Sequence, residues 1–420
     1  MKKTLGILFS IFLLVGIFTG CSTSSSGKGD KVTINALFMK QAGYSEDDVK
    51  AITKEFEEKN PTIKIKPSFV QYEALEQKIQ TSAPTGGFDV VIIDAPWTAK
   101  FAKAGFVKEV SDKLNEKDRA DIFPGAIDSV SYQDKLYGMP WLNDTKYLFY
   151  NTDMLKQAGF DNPPTTWDEL LAQAQVIKEK GIADTPIVGS WAQAEALICD
   201  FTAITSSFGG SLVDEKGKPS VNSKENIDAL TFMTQSLKDG LTNSKSTQYL
   251  EEDVRGVFSS GKAAFALNWT YMYNMANDPK ESSVVGKVGI APVPGTQGHN
   301  GMSVNGGMGL SVTKGSKHPD EAWKYIEYLS SKDVQKRFAQ NALPIWKSLY
   351  EDEGVVKTGP EVVEASKIQY DKLENRPRVP WYGELSTELQ VNVQKALLGE
   401  ITPEKALDSV QKKAEEIASK

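Results

Sequence analysis

Phe88-Asp-Val-Val-Ile-Ile-Asp94 is a nearly continuous apolar run that ends on an acidic residue. Such a run is typical of a strand whose sheet is covered by helices on both faces. Upstream of it, β-branched residues predict strands over Val32–Phe38 and Ile63–Lys66. Helical spacing predicts helices over Asp47–Lys59 and about Tyr72–Ser82. This alternation of strands and helices predicts a mainly parallel α/β sheet.

The same alternation returns in the second half of the chain. Strands are predicted at Ala263–Asn268 and Val288–Val293, and a last helix follows Thr402-Pro403. Thr166 and Glu169 form the sequence pattern of a capping box at the start of another helix. Two α/β lobes fit a chain of 420 residues better than one very large sheet.

The composition argues against several classes of function. Asp and Glu outnumber Lys and Arg by 55 to 48, which gives a net charge of −7 and argues against a dedicated nucleic-acid binder. Two His and two Cys leave little room for a His-rich metal site, a zinc cluster or a His-based catalytic triad. We therefore expect no cofactor, no bound metal and no nucleic-acid partner.

Two patterns raise the question of catalysis. Gly256-x4-Gly261-Lys262 resembles a phosphate-binding loop, but Ala263 stands where a magnesium-binding Ser or Thr is needed, and a helix precedes a strand. We therefore interpret Gly261 as a helix end. Asp94 and Asp144 could serve as the two carboxylates of a glycosidase, although the sequence gives no separation between them. Carbohydrate hydrolysis remains a less favoured alternative to binding.

The N-terminus has the features of an export signal. Lys2 and Lys3 precede an apolar run over Leu5–Phe18, which is shorter than the ~20 residues that a membrane-spanning helix needs. Small residues then lead to Cys21, and the whole resembles a bacterial lipoprotein signal in which Cys21 is lipidated. Phe18 departs from the pattern, which most often has Leu there. A plain secretory signal with an incidental Cys and an uncleaved membrane anchor stay open as alternatives.

The segment after Cys21 is polar and rich in Gly and Ser, which is typical of a flexible tether. The signal peptide is thus expected at 1–20 and the tether at 21–30, and the folded body is expected at the extracytoplasmic face of the cell membrane, extracellular or periplasmic. Cys199 lies in an apolar context and is predicted to be buried. With Cys21 acylated, no intramolecular disulfide can form.

The positions of the tryptophans are the main signal for function. Trp167 and Trp323 fall in amphipathic helices and are expected to pack. Four others follow strand ends or lie in loops beside polar residues: Trp97, Trp141, Trp269 and Trp381. Ligands of α/β proteins bind outside the carboxyl ends of strands, and sugars offer C–H faces to flat rings and hydroxyls to Asp, Asn and Arg. The pattern indicates a sugar site, while packing between lobes remains the alternative for any single ring.

Seven blocks of sequence together carry a resemblance to a known family. They are Phe88–Trp97 (FDVVIIDAPW), Tyr137–Gly159 (YGMPWLNDTKYLFYNTDMLKQAG), Pro164–Leu170 (PTTWDEL), Gly261–Trp269 (GKAAFALNW), Gly306–Trp323 (GGMGLSVTKGSKHPDEAW), Arg376–Tyr382 (RPRVPWY) and Gly399–Leu407 (GEITPEKAL). The blocks occur in family order over about residues 32–418. The chain resembles the family 1 extracellular solute-binding proteins, the sugar receptors of ATP-binding-cassette (ABC) importers, and within them the maltose/trehalose-type binders.

The resemblance implies a periplasmic-binding-protein fold of type II, with two α/β lobes joined by a hinge that the chain crosses three times. Lobe 1 is expected at 30–143 plus 304–343, and lobe 2 at 144–303 plus 344–420. The first crossover would lie within Tyr137–Asn151. The ligand would bind between the lobes and stabilise the closed form, because contacts from both lobes exist only on closure.

The resemblance also implies roles for individual residues. Asp94 and Asp144 would accept hydrogen bonds from sugar hydroxyls. Trp269 would stack on the sugar with Tyr271 near it, and Gly307 would contribute its backbone. These five residues are the best-supported ligand contacts.

Met308 is a departure from the family pattern, because maltose/trehalose-type members often have Trp there. The loss of one stacking plane leaves the identity of the sugar open. One arginine of the RPRVP segment is expected to donate bidentate hydrogen bonds to a sugar. The remaining candidates are Arg376, Arg378, Trp97, Trp141, Glu195, Trp381 and Gln41.

We therefore expect a lipid-anchored, monomeric, non-enzymatic receptor that delivers a mono- or oligosaccharide to the permease of an ABC importer. Two alternatives remain. The same fold could bind another small solute, such as a glycerol-phosphate derivative or a polyamine. A carbohydrate-active enzyme is the less favoured possibility.

Overall fold

The computed structural model describes residues 31–40, 43–340 and 342–420, in which strands and helices alternate. Cys21, the predicted lipidation site, lies outside the described residues. The strands are β1 (Val32–Met39), β2 (Ile63–Val70), β3 (Val90–Asp94), β4 (Ser131–Tyr132), β5 (Lys135–Leu136), β6 (Met139–Leu142), β7 (Lys146–Asn151), β8 (Ile187–Val188), β9 (Phe265–Trp269), β10 (Val288–Ala291), β11 (Ser303–Val304), β12 (Met308–Val312) and β13 (Leu373–Glu374).

The helices follow the same order along the chain. The α-helices are α1 (Glu46–Lys59), α2 (Tyr72–Ser82), α3 (Thr98–Lys103), α4 (Glu116–Asp121), α5 (Pro124–Ser129), α6 (Thr152–Ala158), α7 (Trp167–Glu179), α8 (Glu195–Ser207), α9 (Lys224–Lys238), α10 (Glu251–Ser259), α11 (Tyr271–Ala276), α12 (Pro319–Leu329), α13 (Lys332–Arg337), α14 (Glu353–Val356), α15 (Pro360–Gln369), α16 (Tyr382–Leu397) and α17 (Pro403–Ala418). Short 3-10 helices cover Ala83–Thr85, Ala95–Trp97, Ser111–Lys113, Ser244–Gln248 and Lys347–Glu351.

The first sheet has the strand order β2-β1-β3-β12-β6. β1 runs parallel to β2 and β3, whereas β12 runs antiparallel to both β3 and β6. The register places Met308, at the start of β12, opposite Asp94, at the end of β3. β12 therefore begins at the end of the sheet where β3 finishes. No crossover helix precedes β12 to carry the chain back to the opposite end, so β12 runs antiparallel to β3.

The second sheet has the order β10-β7-β9-β8. β7 is antiparallel to both β10 and β9, and β8 is parallel to β9. The prediction of parallel pairing is confirmed for β1, β2 and β3, from which it was made, but it is wrong for the sheets as a whole, since both are mixed. An apolar run reveals that a strand is covered on both faces, but it carries no information about the direction in which the neighbouring strand enters.

Alternate residues of the second sheet face two hydrophobic cores. Phe149 and Ala266 belong to a core that extends to the first sheet. Leu148 and Leu267 face the second core, which they form with α7, α8, α9, α16 and α17. Cys199, on α8, is buried and free, as predicted.

Two short connecting segments leave the first sheet, one toward the second sheet and one toward the separate β11–β13 pair. Residues 143–145 lead from β6 to β7, and residues 305–307 lead from β11 to β12. The amide of Gly306 donates a 3.0 Å hydrogen bond to the carbonyl of Asp144, so the two segments lie side by side. β13 pairs with β11 in parallel and brings a third stretch of chain to the same place.

Helix ends follow the signals in the sequence. Thr166 and Glu169 form both hydrogen bonds of the capping box at the start of α7. Gly261 has a φ of +71° just beyond α10, a conformation that glycine adopts readily, and β9 follows it. The loop resembling a phosphate site is therefore a helix end, as interpreted.

Trp167 and Trp323 are buried, as predicted. Within the described ranges, every helix is too short or too polar to cross a bilayer.

Candidate functional site

The guanidinium of Arg376 lies between two carboxylates from different parts of the fold. Its side chain is 3% exposed, and it donates through Nη2 to Asp94 Oδ1 at 2.8 Å and through Nη1 to Glu195 Oε1 at 2.9 Å. Asp94 ends β3 in the first sheet. Glu195 begins α8, whose apolar residues pack in the second core. Arg376 therefore links the first sheet to a helix that packs in the second core, through charge-assisted hydrogen bonds.

Hydroxyl groups orient both carboxylates. Tyr72 Oη donates to Asp94 Oδ2 at 2.7 Å. Glu195 accepts a hydrogen bond from the hydroxyl of Tyr382, and another at 2.5 Å from Ser386 Oγ. Each acid is thus fixed both by the guanidinium and by a neutral donor.

Burial and charge set the protonation states that these hydrogen bonds need. Burial alone would lower the pKa of Arg376, but the charge of Asp94 holds it well above its usual value, so the guanidinium stays charged. Burial raises the pKa of Tyr72 and Tyr382 well above the usual range, so both phenols remain donors. Among the described residues, Arg376 Nε is buried without a hydrogen-bond partner, which leaves one donor of this group unused.

A second polar group is centred on Asp144, in the first connecting segment. Its Oδ1 accepts hydrogen bonds from Thr145 N at 2.9 Å, from Thr270 N at 3.3 Å and from the Thr270 hydroxyl. Burial raises the pKa of Asp144 to about 6, although these hydrogen bonds act to lower it. Because Thr270 follows β9, the aspartate ties the connecting segment to the end of a second-sheet strand.

Trp269 is the last residue of β9, and its ring is in contact with several neighbouring groups. Nε1 donates to Glu251 Oε1 at 3.2 Å, and the ammonium of Lys146 lies 5.1 Å from the ring centroid. A Cβ on Gly306 would lie 2.4 Å from Cζ3 of the ring, so this position has to be glycine. Trp269 as a residue is half-buried, so part of it is open to solvent and to a ligand.

A groove lies beside Thr270. One wall is formed by α11, and another by the start of α15 and the residues just before it. Its volume is about 310 Å³, including space open to solvent. It is lined by Thr270, Tyr273, Asn274, Ala339, Gln340, Ala342, Leu343, Thr358, Gly359 and Val362. The groove therefore adjoins the Asp144 group and has a mixed polar and apolar wall.

Three further candidates lie beside Asp94. The carbonyl of Gly307 accepts a 3.3 Å hydrogen bond from the backbone amide that follows Asp94. Met308 is buried and stands opposite Asp94 in the strand register. Trp97 is buried and stacks on Tyr72 with ring centroids 5.2 Å apart, so it supports the phenol that binds Asp94.

Two candidate tryptophans lie elsewhere. Trp141 is inside β6, buried, and stacks on Tyr44 with centroids 4.9 Å apart and planes 9° apart. Its expected position past a strand end is wrong, because all four residues of Met139–Leu142 form a buried strand. Trp381 is the N-cap residue of α16 and packs against the second core.

The remaining candidates are more peripheral. Arg378 donates to a backbone carbonyl at 2.9 Å and its side chain is 32% exposed, so Arg376 is the arginine of the buried group. Tyr271 begins α11, and its pKa is raised by burial and by the neighbouring Glu252. Gln41 lies outside the described residues.

Sequence reasoning missed the residues that hold the candidates in place. They are Tyr72, Tyr382, Ser386, Thr270, Glu251 and Lys146. Tyr382 and Thr270 directly follow candidate tryptophans in the sequence, and this adjacency is a usable signal. Tyr72 and Lys146 carry no such signal, because only the packing of the fold brings them to the site.

The comparisons with known proteins agree with one another. The family model of the bacterial extracellular solute-binding protein matches residues 42–336. A probable ABC transporter-binding protein of Deinococcus radiodurans is 35% identical over 288 residues, which are 67% of this chain and 68% of the relative.

Solved structures share the whole fold. Maltose-bound MalE3 of T. maritima has a TM-score of 0.83 at 31% identity, covering 91% of this chain and 99% of that chain. A solute-binding protein of an ABC transporter from Thermotoga lettingae, bound with α-D-tagatose, has a TM-score of 0.82 at 27% identity, covering 92% of this chain and 100% of that chain. The predicted periplasmic-binding-protein fold with two α/β sheets is confirmed.

Replacing Arg376 by Met is expected to lower the free energy of unfolding by about 3–5 kcal/mol, because two buried carboxylates lose their shared cation. Urea denaturation followed by circular dichroism measures the change. Arg378→Met is the matched control and is expected to cost less than about 1 kcal/mol, because that side chain is 32% exposed. Equal losses in the two variants would contradict the central role of Arg376.

The stability of the protein is expected to depend on Asp144 between pH 4 and pH 7. Its pKa is about 6 in the folded protein against 3.8 ordinarily, so its contribution to stability is complete below about pH 4 and is lost as the pH rises through 6. Relative to Asp144→Asn, the parent should lose up to about 3 kcal/mol over this range. Urea denaturation of both proteins at each pH tests this, and a difference that stays constant with pH would contradict it.

Proposed function

The chain belongs to the bacterial extracellular solute-binding proteins, and from this premise we propose that it is the receptor of an ABC importer for a sugar. A member of this family binds a solute and is not an enzyme. The observation that carries the sugar assignment is the partly exposed Trp269 close to the Asp144 group, with the buried Asp94–Arg376 pair beside the connecting segment 305–307. Aromatic surface beside fixed acceptors and donors suits a ligand with C–H faces and hydroxyls.

The charges around the site favour a neutral ligand over an anion. The carboxylates are Asp94, Asp144, Glu195, Asp200 and Glu251, and the cations are Arg376 and Lys146. This excess of negative charge would repel a phosphate and argues against a glycerol-phosphate derivative. A sugar brings hydroxyls that donate to carboxylates and accept from Arg376 without adding charge.

A polyamine is the second candidate, because the excess of carboxylates would also attract a cation. The stacking surface of Trp269 and the ligands of the similar solved structures, maltose and α-D-tagatose, favour a sugar. Asp94 and Glu195 already share the cation of Arg376, so a polyamine would compete with an internal ion pair.

We further propose that the two sheets belong to two lobes, at 30–143 plus 304–343 and 144–303 plus 344–420, and that a sugar bound between them stabilises a closed form. The support is that Asp144 and Gly307 lie on the connecting segments and Arg376 lies just after β13, beside them. A ligand held by these residues touches both sheets at once. Such a ligand binds the closed form more tightly, because some contacts exist only there. This difference in affinity sets how far it shifts the equilibrium toward the closed form.

The first thirty residues complete the proposal, with the signal peptide at 1–20 and a lipid on Cys21 that holds the receptor at the outer face of the cell membrane. Family membership supports a location outside the cytoplasm. The tether at 21–30 would place the binding site within reach of the permease, the proposed partner. We propose a monomer, because one chain supplies both carboxylates and the guanidinium of the site.

Trp269→Ala is expected to weaken sugar binding at least 30-fold, about 2 kcal/mol, because the stacking surface is lost. A thermal-shift screen with maltose, tagatose, mannitol, glycerol 3-phosphate and spermidine identifies the ligand, since a ligand that binds only the folded state raises the Tm. Titration calorimetry then compares the parent, Trp269→Ala and the control Trp269→Phe, which keeps a ring and should stay within tenfold of the parent. Unchanged affinity in a folded Trp269→Ala removes this residue from the site. Release of product from an oligosaccharide by the purified protein overturns the binding assignment.

Cys21→Ser is expected to move the protein from the membrane fraction to the soluble extracytoplasmic fraction, because it removes the thiol that carries the lipid. Cys199→Ser is the matched control and should remain with the membrane, since Cys199 is buried in the fold. Fractionation of cells and the mass of the mature N-terminal peptide measure both. Membrane retention of Cys21→Ser would favour an uncleaved helix over a lipid anchor.

A further inference from the structure

A buried ammonium lies behind the proposed stacking ring. Lys146 and Trp269 are cross-strand neighbours in the register of β7 and β9. The side chain of Lys146 is 0% exposed, and its Nζ lies 2.5 Å from Asp200 Oδ1, in a carboxylate that is also 0% exposed. Ser190 Oγ accepts from the same ammonium at 3.0 Å and donates to Asp200 Oδ2 at 3.0 Å. The cation, the acid and the hydroxyl form a closed triangle.

Stability alone is a poor explanation for this triangle. The desolvation of two buried charges offsets most of their attraction, and replacing such a pair by neutral groups of similar volume is often neutral or stabilising. The pair lies at the end of β9, opposite Trp269, whose ring is the proposed stacking surface. This position indicates a role in holding the ring.

The Lys146 ammonium of the triangle is near both the ring face and, through Glu251, the Nε1 edge of Trp269. The Lys146 ammonium lies 5.1 Å from the centroid of the ring, a cation–π distance. Glu251 Oε1 lies 3.7 Å from the same ammonium and accepts a 3.2 Å hydrogen bond from Trp269 Nε1. One cation thus acts on the ring face directly and on its N–H edge through Glu251. Gly306 limits the six-membered end of the ring, since a Cβ there would approach it to 2.4 Å.

We propose that Lys146 is a positioning residue: Asp200 and Ser190 fix its ammonium, and the ammonium together with Glu251 fixes the plane of the Trp269 ring. One face of the ring is covered by Lys146, so the opposite face is the one that meets the ligand. This last step rests on the proposed function. The geometry of the ring itself is independent of it.

The experiment uses the mature chain labelled with 5-fluorotryptophan, in which Trp269→Phe assigns one of the eight fluorine resonances by its disappearance. The double variant Lys146→Met/Asp200→Asn removes both charges together, so no unpaired charge is left buried. Its Trp269 resonance is expected to shift or broaden, while the other resonances keep their positions, apart from that of Trp191, which follows Ser190 in the chain. Lys224→Met/Asp228→Asn, an exposed pair on α9, is the control and should leave all eight unchanged.

Affinity for maltose supplies the second readout. We expect a loss of about tenfold in Lys146→Met/Asp200→Asn, mainly through faster dissociation, and no further loss when the same pair is changed in a Trp269→Ala background. A folded double variant with an unchanged Trp269 resonance and unchanged affinity overturns the proposal. If the double variant does not fold, Ser190→Ala, which opens the triangle without removing a charge, has to move the same resonance, and its failure to do so overturns the proposal equally.

The two proposals fail in different ways. Absence of sugar binding by the parent protein removes the proposed function, yet leaves the fluorine resonance to report on the ring. Sugar binding that depends on Trp269 but not on Lys146, with an unmoved resonance, removes the positioning role and leaves the receptor assignment intact.

Discussion

The requirement that a buried guanidinium be paired constrains the centre of this molecule. Arg376 is almost fully enclosed, and its two carboxylate partners come from the end of β3 and from the start of α8. An unpaired charge in this environment would cost several kcal/mol, so the three elements can pack here only in an arrangement that brings both acids to the arginine. The end of β3 and the start of α8 are thereby placed relative to one another by hydrogen bonds of defined length, in addition to less directional apolar contacts.

The helix α8 links this group to the Lys146 triangle. It carries Glu195, which binds Arg376, and Asp200, which binds Lys146, while Leu197 and Phe201 between and beyond them pack in the second core. Both acids lie on one helix, so the Arg376 group and the Lys146 triangle share one rigid support. The Trp269 ring and the Arg376 cluster are therefore parts of one assembly, although they are far apart in the sequence.

The sequence allowed the elements to be predicted well and their arrangement less well. The helix predicted at Tyr72–Ser82 has those bounds in the structure, and the burial of Cys199, Trp167 and Trp323 is as expected. Periodicity reports which face of an element is buried, so these features follow from local pattern. The direction of β12 and the position of Trp141 inside β6 depend on where the chain re-enters the sheet, which no local pattern encodes.

For the candidate site too, the residues could be predicted from the sequence, but their contacts with one another could not. Asp94, Asp144, Trp269 and Arg376 could be selected from the sequence because the resemblance carried them, whereas their roles relative to one another could not. The sequence expectation treated Asp94 and Arg376 as separate contacts for a sugar, but in the structure they are hydrogen-bonded to each other. Tyr72, the donor to Asp94, is supplied by the first residue of a helix whose own pattern gives no hint of a functional role.

The internal pairing of charges also bears on what the site can select. Arg376 is paired with Asp94 and Glu195 before any ligand arrives, so a sugar at the proposed site would meet polar groups that are already ordered. Preorganisation of this kind lowers the entropy that binding loses, because the side chains do not have to be immobilised by the ligand. In the proposed site it would also give selectivity, since a ligand without hydroxyls would displace water from polar groups and return no hydrogen bond to them. A preference for neutral hydroxyl-bearing ligands then follows from the cost of unsatisfied buried groups, with the aromatic ring of Trp269 contributing affinity to any sugar face that reaches it.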